Sequence, residues 1–361
     1  MSLAAGSSLQ KLGHSKTPCS APFTSHFCLS AHVLCSTFWF PRTNSHELST
    51  TAASIPNLLL EAISKNTVRS YGQGFRSWNN WRKLHPEVIQ LPVHEHHLAL
   101  FIASSIQSNC RYGRVENVYC GLNWLHKALD LPNPCDSTLV NVLKEAAKRL
   151  LSKPVRKKEP ISPRDLKRLV KHLCNGSLID LRTLAVSILS YAGFLRYDEV
   201  SRLRYEHITV KPTHMRIFLG SSKTDQHNVG DLVYIARTGR KTCPIAILQS
   251  YLAKARISSK GFIFRGVSKV KDGHRLRKVD KPISYTSLRD DVLKAIEGIG
   301  LDRKLFGLHS MRRGGATCAA NKGVSDRLFK KHGRWSSEGA KDGYVAEDLD
   351  TLLSVSRNLG I

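Results

Sequence analysis

The residues best suited to chemistry in this sequence are seven polar or aromatic side chains in five short segments. Taken singly, each has an ordinary explanation, because an Arg–Glu pair is usually a surface ion pair, a lone lysine a solvated charge and a lone tyrosine a core residue. The seven are Arg196 and Glu199 in GFLRYDEV, Lys223 in GSSKTD, His309 and Arg312 in LHSMRR, Trp335 in GRWSS, and Tyr344 in KDGYV.

Taken together, these side chains are the parts needed for phosphodiester transfer. His309 and Arg312 are three residues apart and therefore share one face of a predicted helix. Two arginines can clamp a pentacoordinate phosphorane, a phenolic hydroxyl can attack in line, and a lysine or histidine can protonate the leaving hydroxyl. An indole N–H can donate to a non-bridging oxygen. No acidic cluster suited to two metal ions stands out, so we predict chemistry without a metal or a cofactor.

The order of these residues resembles that of the tyrosine recombinase (phage integrase) family. The resemblance covers about residues 160–350 and includes the short sequence motifs around each residue, such as SKT and GLHSMR. The helical region before it is similar in size and position to the core-binding domain of that family. The GRW and GLHSMR motifs look most like those of the recombinases of eukaryotic mobile elements of the Crypton and DIRS-like kind.

The resemblance implies strand cleavage that leaves a 3′-phosphotyrosine and a free 5′-hydroxyl. It also implies four protomers that exchange strands in two rounds through Holliday junctions, each holding DNA between its two domains. The implied roles are phosphate binding for Arg196 and Arg312, general acid for Lys223 on a hairpin, assistance in proton transfer for His309, a hydrogen bond to the phosphate for Trp335, nucleophilic attack for Tyr344, and orientation of the neighbouring residues for Glu199.

Three of these roles have structural alternatives that the sequence leaves open. Lys211 or Lys241, rather than Lys223, could be the lysine of the site. Trp335 could be a core aromatic, and Glu199 could pair with Arg202 on the helix surface.

The fold that must position these residues is predicted to be mainly α. Apolar residues at helical spacing after Leu58 indicate a small all-helical domain over residues 50–151, whose aromatics are most simply core. The resemblance implies that this domain is a core-binding (SAM-like) DNA-binding domain. Residues 162–361 are predicted to form a mixed α+β catalytic domain that begins at the Ser162–Pro163 helix start. A small antiparallel sheet and five later helices are expected from Tyr205–Val210, Met215–Gly220, Asp231–Ala236, Pro244–Arg256, Thr286–Glu297, His309–Asn321, Asp326–Lys331 and Glu347–Val355.

Two segments read as connectors. Residues 1–49 are rich in Ser and have no acidic residue before Glu47, which favours a disordered leader. Residues 152–161 read as an extended basic linker in which prolines flank Arg156, Lys157 and Lys158. These three residues are either a solvated connector or a DNA-binding strap along a phosphate backbone, and the KPVRKK run is a weak nuclear-import signal.

Composition favours a nucleic acid as the partner, and the family resemblance implies that it is double-stranded DNA. Lys and Arg total 55 against 28 Asp and Glu, a formal charge of +27, which a polyanion would neutralise. Nine scattered cysteines without a CxxC pair argue against a disulfide framework or a zinc site. No apolar run reaches the roughly 18–20 residues that a membrane span needs, so no membrane partner is expected.

Three functional hypotheses follow. The first is a site-specific or transposon-borne recombinase that acts in the nucleus as a tetramer on DNA. The second is a retained DNA-binding or regulatory protein with little catalysis, and the third is a monomeric type IB topoisomerase. An apolar stripe of Leu349, Leu352, Leu353 and Val355 either packs on its own domain or docks on a neighbouring protomer.

Overall fold

The computed structural model describes residues 45–154, 156–220, 230–271, 273–346 and 349–359. Two compact units divide the chain at residue 155. The N-terminal unit is helical, and the C-terminal unit combines helices with two small antiparallel sheets. The prediction of a mainly α protein with a small antiparallel sheet is therefore confirmed.

The described part of the N-terminal unit contains helices α1 to α5. Trp78 on α2 and Phe101 on α3 are fully buried, with ring centroids 5.8 Å apart, so the aromatics of this unit form its core as expected. A short 3₁₀ turn at Pro134–Asp136 precedes the last helix. The helices are α1 (His46–Glu61), α2 (Lys65–Arg82), α3 (Glu95–Gln107), α4 (Tyr112–Ala128) and α5 (Thr138–Leu151).

The boundary of the predicted leader was placed too late. Helix α1 begins at His46, where the Ser45 side chain accepts a hydrogen bond from the backbone N–H of Leu48. This helix is largely exposed, so it lacks the strong apolar stripe on which the sequence argument depended. Helix α2 begins at Lys65, where the Ser64 side chain accepts a hydrogen bond from the backbone N–H of Thr67. Residues 1–44 of the leader lie outside the described residues.

The C-terminal unit is built around one buried helix, α7. The fully buried Leu184 and Leu189 of this helix lie in a core to which most of the surrounding helices and the larger sheet contribute. The described helices are α6 (Pro163–Leu173), α7 (Leu178–Ala192), α8 (Tyr197–Ser201), α9 (Pro244–Ala255), α10 (Tyr285–Gly298), α11 (His309–Asn321), α12 (Asp326–Gly333), α13 (Glu338–Asp342) and α14 (Leu349–Arg357).

Two antiparallel sheets complete this unit. The strands β1 (Ile208–Val210), β2 (His214–Leu219) and β3 (Asp231–Ala236) lie in the order β1-β2-β3, with Ile217 facing Ile208 and Val233. The first strand is shorter than predicted, because Tyr205–His207 forms a 3₁₀ turn. A second sheet, β4 (Val267–Val270) with β5 (Gly273–Leu276), was not predicted, since its side chains are mostly exposed and show no apolar alternation.

Helices α7 and α11 approach each other closely at a glycine. A Cβ at Gly315 would lie 2.0 Å from the Tyr191 carbonyl oxygen, so only glycine permits this spacing. The contact holds the start of α11 near the end of α7, where several of the predicted site residues lie.

The basic linker is shorter than predicted. The backbone N–H groups of Glu159 and Ile161 donate to the carbonyls of Leu305 and Ser310, and Ile161 is buried, so this end of the segment belongs to the C-terminal unit. Arg156 and Lys157 are exposed. None of the helices in the described ranges is both long and apolar enough to cross a bilayer.

Candidate active site

Arg196 is held at the turn between α7 and α8. The chain leaves α7 at Ala192 and turns through Phe194, which has a left-handed φ of 48°. Arg196 precedes the first residue of α8, and both its backbone N–H and its guanidinium donate to the Glu199 carboxylate at 2.8 Å. The Glu199 side chain is only 2% exposed and that of Arg196 is 14% exposed, so the carboxylate is buried while part of the arginine side chain remains accessible. Arg202 is not the partner of Glu199.

Arg312 is buried beneath this turn. Its position on the first turn of α11 directs the guanidinium at main-chain oxygens, where it donates to the carbonyls of Phe194 and, at 2.8 Å, of Gly333. A side-chain nitrogen also lies 3.9 Å from the Glu199 carboxylate. Arg312 and Arg196 therefore converge on one carboxylate from different helices.

A third arginine, Arg334, joins the cluster and was missed by the sequence argument. It follows α12 with a left-handed φ of 55°, and its guanidinium donates to Glu199 at 2.8 Å. It also donates to the carbonyls of Gly193, Phe194 and His332 at 3.3, 3.1 and 2.9 Å. The available signal was an arginine immediately before Trp335 in HGRW, but nothing in the sequence indicated that this charge would be buried.

The cluster carries more positive than negative charge. Three guanidinium groups surround one carboxylate, which gives a formal charge of +2 when all are ionised. Burial alone would raise the pKa of Glu199, but Arg334, the Arg196 backbone N–H and the two other arginines lower it overall, so the carboxylate stays ionised. Burial and the Arg196 charge lower the pKa of Arg312 to about 10, which still leaves it charged at neutral pH.

Trp335 and Tyr344 form the aromatic wall of the cluster. The carbon at the centre of the Arg312 guanidinium lies 5.1 Å from the Trp335 ring centroid and 4.7 Å from that of Tyr344. The two rings are 5.4 Å apart. Trp335 also packs against Phe194 and Phe329, so it is a core aromatic, yet its buried indole N–H finds no acceptor among the described residues.

The short helix α13 sets the position of Tyr344. The Tyr344 backbone N–H donates to the Lys341 carbonyl at 3.0 Å, and the Thr317 hydroxyl on α11 donates to the Tyr344 carbonyl at 3.4 Å. Lys341 is buried and forms ion pairs with Asp326 and Glu338, which tie α13 to α12. The Tyr344 ring is partly exposed.

The remaining predicted site residues lie at the margin or outside the described residues. His309 is the first residue of α11, one turn before Arg312, and is exposed. Lys223 lies outside the described residues, between β2 and β3. In the basic segment, the Lys158 ammonium donates to the Lys304 carbonyl and Arg313 donates to the Lys158 carbonyl. Lys158 is therefore bound to the rest of the C-terminal unit through both its side chain and its backbone.

One group of potential metal donors lies in the N-terminal unit. His94, Glu95 and His96 offer ligand atoms within 4.8 Å of one another at the start of α3. The His94 ring nitrogen already accepts a hydrogen bond from the His96 backbone N–H. The cluster of arginines in the C-terminal unit contains a single carboxylate and no such donor set among its described residues.

Comparison with known proteins places this arrangement in a family. Residues 159–349 match the model of the phage integrase family. An integrase/recombinase xerD homologue from Selenomonas ruminantium is 27% identical over 299 residues, covering 80% of this chain and 84% of the relative.

Two solved structures share the fold. The XerH site-specific recombinase bound to its palindromic difH substrate aligns with a TM-score of 0.58 at 14% identity, covering 92% of this chain and 94% of XerH. A lambda integrase dimer bound to a core site aligns with a TM-score of 0.52 at 12% identity, covering 84% of this chain and 82% of that one. With the family model matching more than half of its length, the chain belongs to the phage integrase family.

Proposed function

We propose that this protein cleaves and rejoins DNA strands in site-specific recombination, with Tyr344 as the nucleophile. The observation that carries the proposal is the position of the Tyr344 ring, 4.7 Å from the Arg312 guanidinium at the edge of a cluster with a formal charge of +2. A tyrosine beside a buried group of arginines is suited to attack on a phosphodiester, because the arginines stabilise the charge that develops on the phosphorane.

In the proposed reaction, the Tyr344 oxygen forms a bond to the scissile phosphorus and loses its proton. The bond to the 5′-oxygen of the next nucleotide breaks, and that oxygen is protonated as it leaves. A 3′-phosphotyrosine and a free 5′-hydroxyl result. Attack by another 5′-hydroxyl reverses these steps and releases Tyr344, so the phosphodiester energy is conserved without a cofactor.

The other site residues divide the work by their chemistry. We assign phosphate binding to Arg196 and Arg312, and protonation of the leaving oxygen to Lys223, with His309 assisting. The unpartnered indole N–H of Trp335 would donate to a non-bridging oxygen. Removing one such donor from a developing charge typically slows a reaction by about 100- to 1,000-fold.

The partner in this proposal is double-stranded DNA, bound by both units. The helical residues 50–151 would supply the core-binding domain, and residues 162–361 the catalytic domain. The XerH and lambda integrase structures hold DNA substrates, and the +27 charge of this chain suits the same polyanion.

We also propose that protomers assemble on DNA as a tetramer by exchanging α14. This helix exposes Leu352 and Leu353, and no described helix or strand packs extensively against it. A groove of about 590 Å³ in the catalytic unit, lined by apolar residues of β3, α11 and α12, is suited to receive such a stripe. The exposed apolar residues of this groove include Leu232, Tyr234, Val324 and Leu328.

Assembly on DNA tests this exchange. We expect Leu352→Asp and Leu328→Asp each to leave protomer binding to a half-site intact but to abolish tetramers in light scattering of protein–DNA complexes. Leu305→Asp is the matched control, because Leu305 is exposed to a similar extent and lies outside the groove. Unchanged tetramers in both groove and helix variants would exclude the exchange.

The cellular setting is proposed on sequence grounds. The GRW and GLHSMR motifs favour a recombinase of a eukaryotic mobile element of the Crypton or DIRS-like kind. The basic KPVRKK segment favours a nuclear location. A fluorescent fusion should be nuclear and should lose that location when Arg156 and Lys157 become alanine. A fusion that is excluded from the nucleus would contradict this location.

The polarity of cleavage tests the proposed chemistry. A nicked duplex cut by the protein should acquire a 5′ end that polynucleotide kinase labels without prior phosphatase treatment. Peptide mapping should place the attached 3′-nucleotide on Tyr344. Attachment through a 5′-phosphate, or to another residue, would contradict the proposal.

A further inference from the structure

We infer that Arg334 is a positioning residue that links the two phosphate-binding arginines into one rigid unit. The inference rests on the function proposed above, since it assigns a role within the same site. We assign Arg334 to positioning because its guanidinium donates to Glu199 and to the carbonyls of the turn before α8. Arg312 is equally buried but differs from it, because its guanidinium lies over the ring of Tyr344, the proposed nucleophile.

The hydrogen bonds of Arg334 reach the partners of both other arginines. The Glu199 oxygen that accepts from Arg334 at 2.8 Å also accepts from the Arg196 backbone N–H at 2.8 Å. The Phe194 carbonyl that accepts from Arg334 at 3.1 Å also accepts from Arg312. A shift of Arg334 would therefore disturb Arg196 and Arg312 together.

The turn that carries Arg196 depends on the same side chain. Arg334 donates to the consecutive carbonyls of Gly193 and Phe194, where the backbone is held in a left-handed conformation at Phe194. Its planar fork allows one side chain to satisfy these oxygens and the Glu199 carboxylate together. Lysine has a single terminal nitrogen and could not span this set.

The backbone of Arg334 supports a dedicated role. Its φ of 55° lies in the left-handed region, which glycine adopts more readily than arginine. An arginine in this left-handed conformation is less stable than a glycine would be. The buried ion pair with Glu199 offsets that cost in free energy. The arrangement also supplies one of the positive charges that make the cluster +2, which suits a phosphate group that gains negative charge in the transition state.

Single-turnover cleavage of a suicide duplex tests the inference with two substitutions at Arg334. Arg334→Gly relieves the left-handed backbone, which offsets part of the stability lost with the Glu199 ion pair, while Arg334→Met keeps the apolar stem without the charge. Both variants are assayed below their own thermal midpoints. We expect both to slow formation of the covalent product by about 10- to 100-fold, less than the loss of a direct donor to the phosphate. Arg334→Lys should recover only part of the rate.

A matched control separates positioning from general stability. Arg182 is also a buried arginine of the C-terminal unit, paired with Asp291 at 2.7 Å and bonded to the Arg265 carbonyl, but it lies outside the cluster. Arg182→Met should lower the thermal midpoint and leave the cleavage rate within about threefold of wild type below that midpoint. Equal rate losses in Arg334→Gly and Arg182→Met would overturn the inference.

A neutral scissile group gives a second readout that a structural defect would not change. With a methylphosphonate at the scissile position, the transition state carries one negative charge less and depends less on the arginines. We expect the rate difference between wild type and Arg334→Met to shrink on this duplex, whereas a folding defect would slow both duplexes equally. If wild type does not cleave the methylphosphonate duplex, the inference is tested by comparing the cleavage rates of the Arg334 variants and Arg182→Met on the ordinary duplex. If wild type forms no Tyr344-dependent product on the ordinary duplex, the proposed function fails instead.

Discussion

Glu199 is the residue on which the three guanidinium groups of the site converge. Its two oxygens bind Arg196 and Arg334 directly, and Arg312 lies 3.9 Å away. Since a buried carboxylate without partners is strongly disfavoured, the arginines and Glu199 stabilise one another before any DNA is bound. In the proposed reaction, the phosphate would therefore meet positive charge that is already oriented.

At neutral pH, we expect Glu199→Gln to lower the free energy of unfolding by about 3–5 kcal/mol, the usual cost of breaking a buried ion pair. The folded-state pKa of Glu199 is lowered, so its stabilisation is present above the unfolded value near 4.3 and is lost as the pH falls through the lower, folded value. Denaturant titrations between neutral and acid pH should show a smaller loss in the variant than in wild type. Parallel losses would show that Glu199 is not the titrating group.

Trp335 combines packing with an unused donor, and a substitution can separate the two. Trp335→Phe keeps an aromatic ring against Phe194 and Phe329 but removes the buried N–H. We expect cleavage to slow by about 100-fold or more while the thermal midpoint falls only a few degrees. A variant that cleaves at the wild-type rate would make Trp335 a core aromatic alone.

Arg334 illustrates why the site could be predicted only in part from residue types. Tyr344, Arg196 and Arg312 were predicted as site residues because phosphoryl transfer requires a nucleophile and cations, and the structure brings the three side chains together. Arg334 was missed because its role depends on a left-handed backbone and on burial, neither of which a single arginine in HGRW reveals.

At the scale of elements, the site depends on the close contact between α7 and α11. Gly315→Ala would place a methyl group against the Tyr191 carbonyl and the Phe194 ring, forcing the helices apart. We expect it to destabilise the protein by about 1–3 kcal/mol. Cleavage should also slow, because α11 carries Arg312 and the turn that follows α7 carries its acceptor, the Phe194 carbonyl. Chemical denaturation and single-turnover rates measure the two effects.

Gly339 provides the matched control for that substitution. It lies in α13, where an added Cβ meets no atom within 4 Å. Gly339→Ala should therefore leave stability unchanged or raise it by up to about 1 kcal/mol, as alanine favours a helix more than glycine. Equal destabilisation by both substitutions would contradict the importance of the α7–α11 contact.

The elements that sequence patterns predicted are those with a buried face. Helix α6, with its Ser162 cap and apolar stripe, was predicted closely, and so was β3. The hairpin β4–β5 and the short helix α13 were not, because their exposed residues carry no apolar periodicity. The Tyr205–His207 turn was taken for a strand, since its hydrogen bonds depend on distant Gly261.

At the scale of the whole molecule, the +27 charge predicts DNA affinity that falls steeply with salt. If the exposed Arg156 and Lys157 follow a phosphate backbone, replacing both with alanine should reduce the slope of log K against log salt by about 2. A solvated connector would leave the slope unchanged. Fluorescence anisotropy over a salt series gives the slope.

The control for this measurement must remove the same charge elsewhere. Arg289 and Arg303 are exposed and already pair with Asp290 and Glu297, so their joint replacement changes the net charge equally. We expect that double variant to retain the wild-type slope. A similar drop in both double variants would mean that net charge, rather than the strap, sets the salt dependence.

Covalent trapping is the most direct test that Tyr344 joins the protein to DNA. Purified protein is incubated with nicked suicide duplexes drawn from its genomic flanks, denatured, and examined for a slow-migrating protein–DNA band beside Tyr344→Phe. We predict a band in wild type that is absent in Tyr344→Phe, with equal salt-sensitive binding by both proteins. A band that persists in Tyr344→Phe, or none from wild type on any duplex that it binds, would contradict strand cleavage through Tyr344.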